Sequence, residues 1–380
     1  MRLRQASFLI KPVSGRCNLT CGYCFYRDEA NRRALPDRGR MSSATAGLLL
    51  DRAFEAEADS YSFAFQGGEP TLAGLDFFEG FARRAREEKP HGAELRFSIQ
   101  TNGLLIDEAW VAFLRREDFL VGLSLDGSRR IHDSRRKAAD GSGSWTRSMA
   151  AADRLREGGV PVNALCVVDA LVADNAALVY SALRSRGFDW LQFIPCLDPL
   201  GELPGSRPWS LTPSFYAAFL CTLFDLWQDE LAEGRTVHIR WFDDLVALAA
   251  GQAPSSCGMA GRCGSFFVVE ADGSIYPCDF YALDEWRLGD LGSGTLHELA
   301  RSETAGRFLR VSEAMDPACE GCFAHPLCRG GCRRDREPFI KGRLLLNRHC
   351  AAYQTFFRHA GDRIMELAGT LVAPCERRPE

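Results

Sequence analysis

The stretch Arg16-Cys-Asn-Leu-Thr-Cys-Gly-Tyr-Cys-Phe-Tyr26 sets Cys17, Cys21 and Cys24 at CxxxCxxC spacing. Three thiolates so spaced can hold three corners of a cubane iron-sulfur cluster and leave the fourth iron open, and an open iron is a place for chemistry. A zinc knuckle or a disulfide pair is the plainer reading. A closed structural zinc takes four ligands, however, and no histidine stands nearby in the sequence to supply the fourth.

Around that stretch lies a chain of 380 residues, 46% hydrophobic and 25% charged, which is the composition of an ordinary globular protein of one large domain or two. The net charge is -4, with no Lys/Arg block of the kind that tracks a nucleic-acid backbone or an anionic membrane. No apolar run reaches the ~20 residues of a membrane span, and the run near the N-terminus is too short for a signal peptide. The expectation is a cytoplasmic protein whose thiols stay reduced, with neither nucleic acid nor membrane as a partner.

In such a compartment fifteen cysteines read as metal ligands rather than disulfides. Eight more fall in a second set: Cys257-x5-Cys263, then Cys278, then Cys319-x2-Cys322-x5-Cys328-x3-Cys332, then Cys350. Eight thiolates are the complement of two fully ligated 4Fe-4S clusters, suited to electron transfer, and equally of a pair of zinc sites. Spacing alone leaves both open. Cys166, Cys196 and Cys221 read as small buried hydrophobes, and Cys375, in a polar tail, is assigned nothing.

Six β-rich runs, Ser7 to Lys11, Tyr61 to Gln66, Glu94 to Gln100, Phe119 to Leu125, Pro161 to Val168 and Trp190 to Pro195, alternate with amphipathic stretches such as Ser43 to Ala58. Strands alternating with helices mean parallel βαβ units, and six of them make a partial (β/α)6 barrel in an α/β chain. Barrel enzymes carry their chemistry on loops after strands. Cys17 to Cys24, Gly67-Gly-Glu-Pro70, Thr101-Asn-Gly103, Ser124-Leu-Asp-Gly127 and Cys196-Leu-Asp-Pro199 all occupy such places. From about Cys257 the chain turns glycine- and cysteine-rich, with short strands around the hairpin signal Asp272-Gly273. Such a region lacks a conventional core, and metal would hold it together. The expected division is a barrel over 1–240, a connecting helix over 241–254, a cysteine-rich domain over 255–353, and a C-terminal helix and tail over 354–380.

The CxxxCxxC segment with Tyr23, Phe25 and Tyr26 resembles the radical S-adenosylmethionine (SAM) enzymes, whose open iron is chelated by SAM. The eight later cysteines resemble the SPASM extension of those enzymes. Phe65-Gln-Gly-Gly-Glu-Pro-Thr-Leu72, Val121-Gly-Leu-Ser-Leu-Asp-Gly127, Leu191 to Leu200, Ser256-Cys-Gly-Met259 and Tyr276-Pro-Cys-Asp-Phe-Tyr281 are similar to the anaerobic sulfatase-maturating enzymes over nearly the whole chain. That resemblance implies three 4Fe-4S clusters. The SAM cluster would sit on Cys17, Cys21 and Cys24; one auxiliary cluster on Cys257, Cys263, Cys278 and Cys332; the other on Cys319, Cys322, Cys328 and Cys350. It implies SAM contacts from Tyr23, Gly68, Ser124, Arg136 and Leu197, with Gly68 at the methionine amino group, Ser124 and Arg136 at ribose and carboxylate, and Asp279 as general base.

The implied activity is oxidation of a peptidyl cysteine or serine to formylglycine in a sulfatase segment Cys/Ser-x-Pro/Ala-x-Arg, fed by flavodoxin or ferredoxin, by a monomer. Gln66, Tyr26, Arg240, Tyr281 and Asp198 are further candidates for a peptide channel, each also readable as structural. An enzyme that cross-links a ribosomal peptide would share every cluster motif. Such enzymes usually carry a recognition domain ahead of the barrel, for which Cys17 leaves no room. A non-catalytic metal scaffold would have no use for Gly68, Ser124 and Arg136 after successive strands.

Overall fold

The computed structural model describes residues 3–264, 266–338 and 344–372, so that Cys375 and the end of the expected tail lie outside the described residues. Two compact units divide the chain, one of 1–166 with 265–310 and one of 167–264 with 311–380.

In the first unit the strands are β1 (Leu3–Ile10), β2 (Ala58–Phe65), β3 (Glu94–Thr101), β4 (Phe119–Ser124) and β5 (Val162–Val168, its last two residues counted with the second unit), parallel neighbours in that order. Helices α1 (Phe25–Asn31), α2 (Ser43–Glu55), α3 (Leu75–Glu88), α4 (Glu108–Arg116), α5 (Arg129–Arg135) and α6 (Trp145–Glu157) lie between them in sequence. Ser42 caps α2 by accepting the Thr45 N–H, and Asp107 caps α4 through Trp110 N–H, each satisfying a donor that the first helical turn leaves unpaired. The α2 helix ends three residues short of the expected Ala58, because Ala58 opens β2.

The segment expected to lack a core has one. Its strand Phe267–Val269, here β6, pairs parallel with β1 and antiparallel with β7 (Ser274–Tyr276), which in turn pairs with β8 (Gly289–Asp290). The turn between β6 and β7 holds Gly273 at φ +84, as the Asp-Gly signal requires. Val269, Ile275, Leu291, Leu296 and Leu299 are buried with the barrel strands' side chains. These strands are too short to show a period, but each presents apolar residues to an existing sheet.

A row of phenylalanines fixes the register of this unit. Phe267, Phe8, Phe63, Phe97 and Phe119 are successive cross-strand partners from β6 through β1 to β4. Their rings stack with centroids 5.9, 5.5, 6.0 and 5.1 Å apart. Sliding any strand by one residue would turn its ring to the other face.

The second unit carries Trp190–Pro195, the sixth expected strand, paired parallel with the short strand His238–Ile239. Its core is aromatic, with Phe224, Trp227, Phe242 and Phe356 packed between helices Pro213–Ala232, Arg240–Ala249 and Cys350–Val372. Cys166 and Cys196 are buried, as expected, whereas Cys221 is only half-buried. No helix among the described residues is long and apolar enough to cross a membrane.

Candidate active site

In the first unit the loop after β1 carries Cys17, Cys21 and Cys24, the last at the N-cap of α1. Two neighbours hold this loop. Gly68, after β2, packs so tightly beneath it that a Cβ there would fall 1.9 Å from the Arg16 carbonyl oxygen. The Gly68 and Glu69 N–H groups donate to the Ser14 and Arg16 carbonyls at 2.9 and 2.8 Å. On the other side Thr20 N–H donates to the Lys137 carbonyl at 2.7 Å, just past Arg136.

Glu69 ties the strand-end loops together. Its buried carboxylate accepts Thr71 N–H and Oγ, Thr101 Oγ at 2.7 Å and Asn102 N–H at 2.8 Å. The Asn102 amide points to Asn18 at 2.7 Å and to Cys17 Sγ at 3.8 Å, and Leu19 N–H reaches the same sulfur at 3.3 Å. N–H groups aimed at a sulfur favour its thiolate. Burial acts the other way, pushing the Cys17 thiol up to about 12 and Cys21 to about 11. Three cysteines on one loop, with N–H groups aimed at the Cys17 sulfur, are the donor type an iron-sulfur cluster takes, and cluster binding would displace the thiol protons.

Ser124, the last residue of β4, is buried, and so is Arg136, just after α5. Its guanidinium forks onto buried Asp126, Nε to Oδ2 at 2.8 Å and Nη2 to Oδ1 at 3.0 Å, and lies 5.6 Å from the Tyr23 ring centre. The Tyr23 hydroxyl donates to the same carboxylate. Burial opposes the Asp126 charge, yet the Arg136 field and fork outweigh it and hold the carboxyl below its usual range. His132 braces the arrangement. Its Nδ1 accepts the Asp126 N–H at 3.3 Å and its Nε2 meets Ser144 Oγ at 2.9 Å, whose hydroxyl donates to the Arg136 carbonyl. Burial lowers His132 to about 4, so it stays a neutral ring with one donor and one acceptor.

Asp279, next to Cys278, is held from three elements. Tyr26 of α1 donates to Oδ2 at 2.6 Å and Gln66, at the end of β2, at 2.9 Å. Oδ1 accepts no well-aligned hydrogen bond and faces the Lys11 ammonium at 3.3 Å. Burial, with the Asp279 charge and hydrogen bond next, keeps the Tyr26 phenol far above its ordinary range, so it remains a donor. Lys11 is 1% exposed and also pairs with Glu29 at 3.1 Å and Glu270 at 3.4 Å, while Arg33 bonds both glutamates. Burial opposes the Glu270 charge, but Lys11 and Arg33 hold it ionised. This five-charge cluster was not legible in the sequence, since its members come from residues 11, 29, 33, 270 and 279.

In the second unit the thiols fall into two groups. Cys332 lies in the fields of Cys257 and Cys263, whereas Cys328 lies in those of Cys350, Cys319 and Cys322. Burial raises Cys263, Cys319, Cys332 and Cys350, and Cys328 to about 11. Arg334 N–H points to Cys332 Sγ at 3.4 Å and the Gln354 amide to Cys350 Sγ at 3.6 Å. Leu197 is half-buried after its strand.

The channel candidates sort out differently. Tyr26 and Gln66 hold Asp279. Asp198 is 3% exposed and consumed by Arg348 at 2.8 Å, by Ser210 and by Gly205 N–H at 3.1 Å. Tyr281 is buried edge-on against Phe308. Arg240 is exposed and touches Ser255 and Gln192. His349 is fully buried, edge-on to Tyr216.

Residues 12–173 match the radical SAM superfamily, and residues 257–323 an iron-sulfur cluster-binding domain named SPASM. A cysteine-type anaerobic sulfatase-maturating enzyme of Clostridium novyi is 41% identical over 97% of this chain and 99% of its own. A serine-type counterpart from Bacteroides thetaiotaomicron is 29% identical over 92% and 88%. A solved structure described as native anSMEcpe with bound AdoMet superposes with a TM-score of 0.93 at 42% identity, covering 96% of this chain and 99% of that one; the same enzyme is known with a bound Kp18Cys peptide.

Proposed function

The chain belongs to the anaerobic sulfatase-maturating enzymes of the radical SAM superfamily, and from that premise we propose that it oxidises a cysteine within a sulfatase peptide to formylglycine. It is a radical SAM oxidoreductase whose cofactors are SAM and three 4Fe-4S clusters. The closer identity to the cysteine-type enzyme than to the serine-type one favours cysteine as the target. Cross-linking of a ribosomal peptide is disfavoured, because relatives over nearly the full length are sulfatase-maturating enzymes.

Cys17, Cys21 and Cys24 hold the SAM cluster in this reading. Cys257, Cys263, Cys278 and Cys332 hold one auxiliary cluster, and Cys319, Cys322, Cys328 and Cys350 the other; the two thiol groupings of the second unit support the division. Tyr23, Gly68, Ser124, Arg136 and Leu197 contact SAM, with the Gly68 carbonyl taking the ammonium group. The functional division runs 1–240, 241–254, 255–353 and 354–380. Reduced thiols suit a cytoplasmic protein, and in this reading it acts as a monomer supplied by flavodoxin or ferredoxin.

SAM and the clusters, when bound, would supply the radical that takes a hydrogen atom from the substrate Cβ and the acceptor for one electron. What remains is a proton. Asp279 accepts it from the substrate thiol as the C=S bond forms, and water then replaces sulfur to give the aldehyde and sulfide. Tyr26 and Gln66, both donors to Oδ2, aim the carboxylate and leave it able to accept. The observation that carries this reading is a carboxylate beside Cys278, held by two hydrogen-bond donors and one ammonium and 13% exposed.

The experiment is anaerobic incubation of the reconstituted protein with SAM, dithionite and a short peptide containing Cys-x-Pro-x-Arg, read by mass spectrometry. Aldehyde-bearing peptide with 5'-deoxyadenosine is expected, and Asp279→Asn should keep the nucleoside and lose the aldehyde. Nucleoside with an unmodified peptide from the wild type would move the substrate elsewhere, and undiminished aldehyde from the variant would remove Asp279 from its role.

A further inference from the structure

Beyond the groups that touch substrate or SAM lies a fully buried lysine with no part in the mechanism above. Lys11 follows β1, is 1% exposed, and its ammonium sits 3.1, 3.4 and 3.3 Å from Glu29, Glu270 and Asp279. It also lies 4.8 Å from the centre of the Tyr26 ring, whose hydroxyl binds the other oxygen of Asp279. Lysine is rarely buried so completely unless its charge is matched. Two carboxylates would be matched by Lys11 and Arg33, yet the cluster holds three. The third, Asp279, is the one with a path to solvent, and its Oδ1 has no other partner of comparable closeness among the described residues.

We propose that Lys11 is a positioning residue for Asp279, fixing Oδ1 so that the carboxylate meets the substrate thiol in one orientation. The proposal rests on the reading of Asp279 as the base. Tyr26 and Gln66 both grip Oδ2, and a carboxylate gripped through one oxygen can still swing about its Cβ–Cγ bond. An ammonium at Oδ1 removes that freedom. Glu29 and Glu270 hold the ammonium from behind, Glu29 with both oxygens, at 3.1 and 3.3 Å. The lysine stem runs under the Gly67 loop, where a Cβ on Gly67 would come within 3.2 Å of its Cβ and Cγ. Glycine there lets the lysine reach Asp279 past the loop that carries Gly68.

The test compares the reconstituted wild type with Lys11→Met and with Lys11→Met/Glu29→Gln, measuring formylglycine formed per 5'-deoxyadenosine, peptide KM and thermal midpoint. Lys11→Met leaves one cation facing three carboxylates and is expected to lower the midpoint. The double variant leaves one cation facing two, restoring the wild-type net charge of the cluster, and its midpoint is expected to recover. In both variants nucleoside formation should continue, formylglycine per nucleoside should fall about tenfold or more, and peptide KM should stay within about twofold.

Wild-type coupling in the single variant overturns the proposal, as does recovery of coupling together with the midpoint in the double variant, since Lys11 would then only balance charge. A wild type that makes nucleoside but no formylglycine fails the functional reading itself, a distinct result.

Discussion

Replacing Gly68 by alanine puts one methyl group where the structure has no space. The new Cβ would stand 1.9 Å from the Arg16 carbonyl oxygen, 2.5 Å from its carbon and 2.7 Å from the Gly15 carbonyl carbon. All three are backbone atoms, so no rotamer change can relieve the contact. Restoring about 3.0 Å requires the two loops to part by about 1.1 Å, the difference between that spacing and the 1.9 Å contact. The separation breaks the Gly68–Ser14 and Glu69–Arg16 hydrogen bonds, which costs about 1–3 kcal/mol for the pair.

Cys17 adjoins Arg16, so the proposed cluster ligand shifts relative to the Gly68 carbonyl that would meet SAM. A misplacement of ~1 Å between reacting groups lowers rate on the order of a hundredfold. The assay is 5'-deoxyadenosine formation with dithionite, alongside iron content. Gly80→Ala in α3 is the control, because its Cβ would meet nothing within 4 Å, and it should be neutral or stabilising by up to about 1 kcal/mol. If Gly68→Ala cleaved SAM within about threefold of wild type, close approach of the two loops would not be what sets the site.

Three further outcomes follow from the same geometry. Asp126→Asn removes the charge opposite buried Arg136 and should cost about 3–5 kcal/mol, seen in denaturant unfolding, and weaken SAM binding, seen in titration calorimetry. His132, at about 4 when folded against 6.5 unfolded, is neutral in the fold while the unfolded chain is protonated between those values. Its contribution is whole above pH 6.5 and falls away as the pH drops to about 4, by about 3 kcal/mol in all; His132→Gln should flatten that part of the stability profile. Changing Cys17, Cys21 and Cys24 together to alanine should lower iron from about twelve to about eight per chain, by iron assay, and abolish nucleoside formation.

The barrel strands were legible because each is an uninterrupted β-rich run and all but β5 are followed by a loop of unusual residues, and five of the six observed strands lie within three residues of the expected bounds at either end; β1 begins earlier, at Leu3, where polar Arg4 and Gln5 hide the strand period. The core of 265–310 was not legible, since strands of two or three residues carry no periodicity and take their burial from partners far along the chain. Asp279 could be picked out by its place beside Cys278, but its holders could not: Gln66 and Tyr26 looked like channel residues because a side chain's partner is invisible in a sequence. Lys11 was passed over altogether, for a lysine ending an apolar strand ordinarily reads as the point where the chain meets water. Tyr281, readable in the sequence either as a channel residue or as structural, turns inward to Phe308.

The first unit is discontinuous, and that has a consequence for how the protein is made. On the ribosome β1 to β5 emerge in succession and each can pair with the one before, but β6, the second neighbour of β1, follows β5 only after on the order of a hundred further residues, about 5–20 seconds of synthesis at 5–20 residues per second. Until then one edge of β1 stays open, Phe8 stacks on one side only, and Lys11 and Glu29 have neither Glu270 nor Asp279 beside them. The residue proposed to accept the substrate's proton therefore arrives when the rest of its unit is nearly complete. A nascent chain that has made its three-cysteine loop still lacks the carboxylate needed to finish the oxidation.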